Sequence, residues 1–515
     1  MVALPKQALR LVLTCGILTA CEGRQLGGNV PVSVATGPAP LIVIVVDTLR
    51  YDHVTPERMP NVMKLAEDGV SFSRAFSHAP MTLPAHTALF SSTYPGQNGV
   101  KVNGTPVPGD LPLVSKWLAN QGYQTAAVAS LATLWSSQPQ QSLDQGFDTF
   151  THVFRDYSHG PQTTERIGEV MEGLTDQPLF LFAHFADPHE PYRDFESTEP
   201  QLQLKVNGLV LEELTTSHSP HFQAKCELQE GDHEVSLISD GDFVMRSLYV
   251  HDSASGARIP LVLTEGKRLS TLQAVRGTFH LDKPATVDIE SWVNDHPSQA
   301  EAKLRYRAEV TVADKAVGKL LRDLQSMGIY DQSLIVFTSD HGEAFGEHAW
   351  NGHSESLFDE LLHVPLIVKP PAGQGDLRIR LGQSAQALIR HVDVVPTVLD
   401  ILELPVMPGM VGVSLLDPQR GDLPLLAETH QPEASQDQLC LRNRAHKLLY
   451  FPETDSFQLF DLRADPLETQ DVFTAKGHQF SVWQEELRER AEQAHQVREL
   501  PQPRQKSDLI ESLGY

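Results

Sequence analysis

Leu41-Ile42-Val43-Ile44-Val45-Val46 is an unbroken apolar, largely β-branched run, the pattern of a strand covered on both faces in a parallel sheet, and it stops at Asp47. Residues 124–130 and 179–185 read as further strands, and 333–339 as another that runs directly into Asp340. Helical stretches are expected over 60–68 and 111–120, with Gly69 and Gly122 placed to stop them. Over 306–327, Val310, Ala313, Val317, Leu320, Leu321 and Leu324 recur at helical spacing before Gly328. Strand and helix in alternation predict an α/β fold, a mostly parallel sheet sandwiched by helices.

Residues 196–300 break that rhythm. The alternation in Leu202-Gln203-Leu204-Lys205-Val206, the Asn207-Gly208 turn signal and Ser236-Leu237-Ile238 after Gly231-Asp232 predict an inserted β-sandwich, either a carbohydrate or substrate binder or a spacer. The α/β unit is thereby split into 41–195 and 301–425. Residues 426–515 form a C-terminal subdomain, with a small sheet from 447–451 and 457–462 and a polar helix near 480–497.

The N-terminus carries a different pattern. Lys6 and Arg10 precede the short apolar run 11–20, which has the size of a signal-peptide core and is too brief to span a bilayer. Leu18-Thr19-Ala20-Cys21 resembles the bacterial lipoprotein box, which implies a signal peptide over 1–20, lipid on Cys21 and a tether over 21–40. Glu22 after the Cys favours the outer membrane, so the chain is expected lipid-anchored at the periplasmic side or outer surface of a bacterial membrane. No apolar run reaches the ~20 residues of a spanning helix.

With 41 Lys and Arg against 66 Asp and Glu in 515 residues, the formal charge is −25, which repels nucleic acid. Hydrophobic residues make up 41%, enough for a large core. Cys15 leaves with the signal, and the separation of Cys226 and Cys440 gives no reason for them to pair.

Asp47 and Asp340 each sit at the carboxyl end of an expected buried strand, where ligands of open α/β sheets collect. His341 adds an imidazole, and the set suits a divalent cation. Thr82, in Ala79-Pro80-Met81-Thr82-Leu83-Pro84-Ala85-His86, is expected just before a helix start, where a hydroxyl meets an anionic group; a plain N-cap is the alternative.

These segments, together with Val45-Val46-Asp47-Thr48-Leu49-Arg50, Thr93-Tyr94-Pro95, Asn98-Gly99-Val100, Asp187-Pro188-His189-Glu190-Pro191-Tyr192 and Thr338-Ser339-Asp340-His341-Gly342-Glu343, resemble the sulfatase family of the alkaline-phosphatase superfamily. The resemblance covers 41–192 and 303–465. It implies an alkaline-phosphatase/sulfatase-like fold and places Asp47, Asp340 and His341 on metal-ligand positions, with Thr82 a further candidate ligand to the same ion.

Three positions depart from the pattern. Thr82 stands where sulfatases carry the Cys or Ser that becomes formylglycine, His86 where they carry an Arg, and Thr48 where many carry a second metal-binding Asp. A Thr cannot follow the formylglycine route, which leaves a direct alkoxide activated by the cation. Thr nucleophiles with this metal arrangement occur in the superfamily's phosphoethanolamine transferases. His353, twelve residues after His341, and His189 resemble histidines of those enzymes and are candidates for binding the transferred group, completing a second metal site or protonating the leaving oxygen. Lys101 and Asn103 are candidates for anion contact, whereas His184, His348 and His363 are read as surface or packing residues.

The expected activity is metal-dependent cleavage of a sulfate or phosphate ester through Thr82, with one or two Zn, Mn or Ca ions and a small-molecule, glycan or lipid ester substrate. A phospho-head-group transferase and a non-catalytic surface binding protein are the alternatives.

Overall fold

The computed structural model describes residues 38–497 except 136–140, 153–158, 191, 193–200, 216–220, 240–242, 264–267, 270–273, 296–298 and 433–434. The expected signal peptide, Cys21 and most of the tether lie outside the described residues. Among the described residues no helix is long and apolar enough to cross a membrane.

The main sheet contains β1 (Leu41–Val46), β2 (Val70–Phe76), β3 (Gln124–Ala129), β4 (Thr149–His152), β5 (Leu179–Phe185), β6 (Leu334–Thr338), β7 (His363–Lys369) and β8 (Ile389–Arg390). Their order across the sheet is β8-β2-β7-β6-β1-β5-β3-β4. All neighbours run parallel except at β7, which is antiparallel to both β6 and β2. The mostly parallel sheet between helices is the architecture that strand–helix alternation predicts.

The unbroken run of β1 follows from its place near the middle of the sheet. Leu41, Val43 and Val45 enter the core on one face, while Ile42, Ile44 and Val46 enter the core on the other. Each such side chain contributes ~1.5–3 kcal/mol by leaving water. The second face is covered by α1 (Pro60–Asp68) and the long helix that follows the insertion. The first is covered by α2 (Thr82–Ser91), whose Leu83, Leu89 and Phe90 join its core. The helix α3 (Gly160–Glu172) adds Ile167 and Met171 to the second face, beside α4 (Gln299–Ser326) with Val310, Ala313, Val317 and Leu320. Asp314 of α4 accepts the backbone N–H groups of Asn61 and Val62 at 3.0 and 2.9 Å, so a carboxylate offsets the positive end of α1.

Two element starts differ from expectation. The helix expected over 111–120 begins at Val114 because Leu113 is extended (φ −117°, ψ 145°). Helix α4 begins at Gln299 and not at 306. Its first residues, Gln-Ala-Glu-Ala-Lys, favour helix but carry no apolar stripe, so periodicity registers the helix only where it packs.

Among the described residues, the segment 201–295 forms two five-stranded sheets whose facing sides share a core that includes Leu204, Val206, Val235, Leu237, Val250, Val275, Phe279, Val287 and Ile289. After the α/β unit, strands Leu425–Thr429, Gln438–Arg442, His446–Phe451 and Ser456–Asp461 make an antiparallel sheet. The helix Ser481–Gln496 packs Leu487 against its Leu426, Leu441 and Leu448. Cys226 and Cys440 are both free thiols.

Candidate metal and ester site

Strand register creates the site. Val45 of β1 pairs with Thr338 of β6 in parallel, so two residues further on Asp47 and Asp340 emerge side by side at the carboxyl edge of the sheet. Thr48 takes a left-handed conformation (φ 55°), which turns the chain sharply, and its N–H donates to Asp340 Oδ1 at 3.2 Å. The turn is clamped from α4: the Tyr306 hydroxyl donates to the Thr48 carbonyl at 2.8 Å and accepts the Arg50 N–H at 2.9 Å.

His341 completes the centre. One ligand atom from each of Asp47, Asp340 and His341 lies within 4.8 Å of the others. His341 Nε2 is 3.3 Å from Asp340 Oδ2, 3.9 Å from Asp47 Oδ1 and 3.5 Å from Thr82 Oγ1. Its Nδ1–H donates to the Gly342 carbonyl at 3.0 Å, which leaves Nε2 with its lone pair toward the carboxylates. Among the described residues, Asp47 Oδ1 and Asp340 Oδ2 are buried with no hydrogen-bond partner.

Burial pushes both carboxyls above the ordinary carboxylate range, and Asp47 pushes Asp340 further. Burial opposes the charged form of His341, but Asp340 and Asp47 outweigh it and raise its pKa. Two buried carboxylates with unpaired oxygens facing one imidazole lone pair form a set of hard oxygen and nitrogen donors that fits a divalent cation.

Thr82 is the first residue of α2, not the residue before it, and is 0% exposed. Asn103 Oδ1 accepts the Leu83 N–H at 2.8 Å and so caps this helix start. One turn along, His86 Nδ1–H donates to the Thr82 carbonyl at 2.8 Å and lies 3.5 Å from Asp340 Oδ2. Burial lowers its pKa to about 4, so His86 is neutral and backs Asp340.

His189 and His353 meet beside His341. Their rings are 5.0 Å apart, and the His353 ring is 4.7 Å from that of His341. His189 Nδ1–H donates to the Glu190 carbonyl, and His353 Nδ1 lies 3.1 Å from Glu343 Oε1. Burial holds His189 at about 4 and His353 well below the usual imidazole value.

The structure thus brings Asp47, Thr82, His86, His189, Asp340, His341 and His353 into one cluster, buried except at His353, which is partly exposed. Lys101 is directed elsewhere, its ammonium donating to the Ala494 carbonyl. His348 stacks on Phe358 at 3.6 Å, and His363 lies 4.2 Å from Tyr51 and 4.7 Å from Phe76, both as packing residues.

His184 is not a packing residue: its Nε2 lies 3.1 Å from Asp47 Oδ2. Because His184 Nδ1 accepts the Ser130 N–H at 3.4 Å, Nε2 carries the proton and donates to Asp47. The signal that could have found it is a histidine near the carboxyl end of an apolar strand adjacent to β1. Glu343, fully buried, is a second residue missed by sequence reasoning.

Comparison with known proteins places the fold in a family. Residues 40–404 match the sulfatase family model, and residues 346–497 match the N-sulphoglucosamine sulphohydrolase C-terminal model. N-acetylglucosamine-6-O-sulfatase of Bacteroides thetaiotaomicron is 23% identical over 80% of this chain and 78% of its own length. Among solved structures, the phosphonate monoester hydrolase of Agrobacterium radiobacter superposes with a TM-score of 0.58 at 17% identity, covering 89% of this chain and 96% of that one. A protein solved with its substrate D-glucosamine-2-N,6-O-disulfate superposes at 0.55 and 16% identity, covering 90% of this chain and 100% of that one. The α/β body with two carboxylates at its strand ends, and the family model spanning it, establish that this chain belongs to the sulfatase family, hydrolases of sulfuric esters in the alkaline-phosphatase superfamily.

Proposed function

We propose that the chain cleaves a sulfate or phosphate ester of a glycan or small molecule by transferring the sulfuryl or phosphoryl group to Thr82. The observation that carries this reading is Thr82 Oγ1 lying 3.5 Å from His341 Nε2, beside two carboxylate oxygens that have no hydrogen-bond partner among the described residues. Asp47, Asp340 and His341 would hold the cation, with Thr82 beside them. Such an ion, when bound, lowers the pKa of a neighbouring hydroxyl and offsets charge developing on the transferred group.

In the first step the Thr82 oxygen forms a bond to sulfur or phosphorus and the ester oxygen leaves with the bonding pair. The leaving oxygen takes a proton from His189 or His353, neutral imidazoles able to accept the Thr82 proton and pass one on. Water then cleaves the Thr82 ester, restoring the hydroxyl and releasing sulfate or phosphate. Since Thr82 is buried, substrate entry requires a covering group to move aside.

Purified protein assayed with matched aryl sulfate, phosphate and phosphonate esters tests this. Wild type turns over at least one class, and Thr82→Ala loses that turnover by a factor of 10³ or more while still binding metal. Equal turnover by Thr82→Ala overturns the reading. We also propose that Cys21 carries lipid, so that Cys21→Ala moves the chain from the membrane fraction to the wash.

A further inference from the structure

Glu343 is a fully buried carboxyl that the mechanism above does not use. Its place follows from local topology. Ala344–Phe345 and Asn351–Gly352 form a two-stranded antiparallel hairpin in which Ala344 pairs with Gly352. The residues flanking that pair, Glu343 and His353, are therefore brought together, and Glu343 Oε1 lies 3.1 Å from His353 Nδ1.

The hairpin cannot slide. The Glu343 carbonyl accepts Arg50 Nη1 at 3.0 Å, and the Gly342 N–H donates to the Leu361 carbonyl at 2.8 Å. Phe345 packs its ring 4.9 Å from Tyr306, the residue that clamps Thr48. One rigid unit thus carries His341, Glu343 and, through the hairpin, His353.

A carboxyl costs stability here. The Glu343 side chain is fully removed from water, a desolvation that an apolar residue of similar size would not suffer. Buried groups of this kind concentrate where geometry serves chemistry.

Resting on the Thr82 reading above, we propose that Glu343 is a positioning residue: it commits His353 Nδ1 and fixes the ring plane, so that Nε2 serves the reacting group. Without it the imidazole loses the carboxyl that fixes its Nδ1. Misplacement of about 1 Å at a reacting group costs on the order of 10²-fold in rate.

The test is a double-mutant cycle in kcat and KM with the ester that wild type turns over, run beside Thr82→Ala and with bound metal measured in every variant. Glu343→Ala and His353→Ala each lower kcat/KM about 10²-fold, mainly in kcat, with metal content unchanged, and the double variant falls no further. Glu343→Gln keeps an acceptor at the same place and stays within tenfold of wild type. Glu343→Gln also carries the comparison should the alanine variant not fold.

The proposal is overturned if Glu343→Ala stays within threefold of wild type. It is equally overturned if Glu343→Ala lowers the His353→Ala background by a further tenfold, or if Glu343→Gln is as damaged as Glu343→Ala. A dead Thr82→Ala alongside an active Glu343→Ala sinks this inference alone, whereas an active Thr82→Ala sinks the reading beneath it.

Discussion

Replacing His184 with leucine removes a side chain that donates to Asp47 Oδ2. The contact is His184 Nε2 to Asp47 Oδ2 at 3.1 Å, between two groups that are fully buried. A hydrogen bond to a charged group is worth about 1.5–3 kcal/mol, and 1.4 kcal/mol is a factor of ten, so metal affinity should fall roughly 10- to 100-fold. The range measured for residues that orient metal ligands is the same, about 10–100-fold. The neutral state of His184, held at about 4 by burial, means that its loss removes a hydrogen bond and no charge. Competition with a fluorescent chelator reads the affinity directly. His184→Gln, which retains an N–H donor, should recover part of it. An affinity within twofold of wild type for His184→Leu would show that Asp47 needs no second partner, and the tautomer assignment through Ser130 would fall with it.

Three further outcomes follow from other parts of the chain. Lys447→Met strands the buried Glu468 carboxylate that Lys447 Nζ holds at 2.6 Å and leaves Asp359, held at 2.7 Å, to Arg442 alone; it should cost about 3–5 kcal/mol, read as a lower urea midpoint. Gly342→Ala drives a Cβ to 2.0 Å from the Glu360 carbonyl oxygen; it should cost about 1–3 kcal/mol and lower bound metal, checked by melting and elemental analysis. His430 loses some basicity to burial but gains more from Asp437 and Glu428, and stands at about 9 in the folded chain. Its folded pKa is above the unfolded value, so its stabilisation is complete below about pH 6.5 and is lost as pH rises through 9. The melting-temperature difference between wild type and His430→Asn should shrink over that interval.

Hydrophobic pattern made the centre of the fold legible and left its edge obscure. Strands β1, β5 and β6 are buried on both faces, so their runs are apolar but for His184 in β5 and Thr338 at the end of β6, and they lie beside residues of chemical interest. Strand β7 is interrupted by Pro365, where its pairing with β2 shifts register between Val364 and Leu366, and it carries no run long enough to register. Strand β2 mixes Ser71, Ser73 and Arg74 with its apolar residues because part of its surface faces outward. At the site, Asp47, Asp340 and His341 were legible because strand ends announce them. His184 and Glu343 were not, since a single polar residue in or beside an apolar run looks the same whether it packs or orients a ligand; only cross-strand register, Val45 with His184 and Ala344 with Gly352, separates the two.

The departures at positions 48 and 86 gain a common reason from charge. Measured against the family pattern, Thr48 removes one negative charge and His86, neutral at about 4, removes one positive charge, so the pair leaves the sum unaltered. What remains at the centre is Asp47 and Asp340 among histidines that burial keeps neutral, His184, His189 and His353, with Glu343 pushed up to about 8 and so largely uncharged near neutrality. Two negative charges in a buried cluster are balanced by one divalent cation, and a second would leave excess positive charge with no anion to meet it. One ion per chain is therefore the expected stoichiometry in the absence of substrate. Elemental analysis returning two would mean that His189 and His353 bind metal themselves, and the positioning role of Glu343 would then act on a ligand in place of a proton donor.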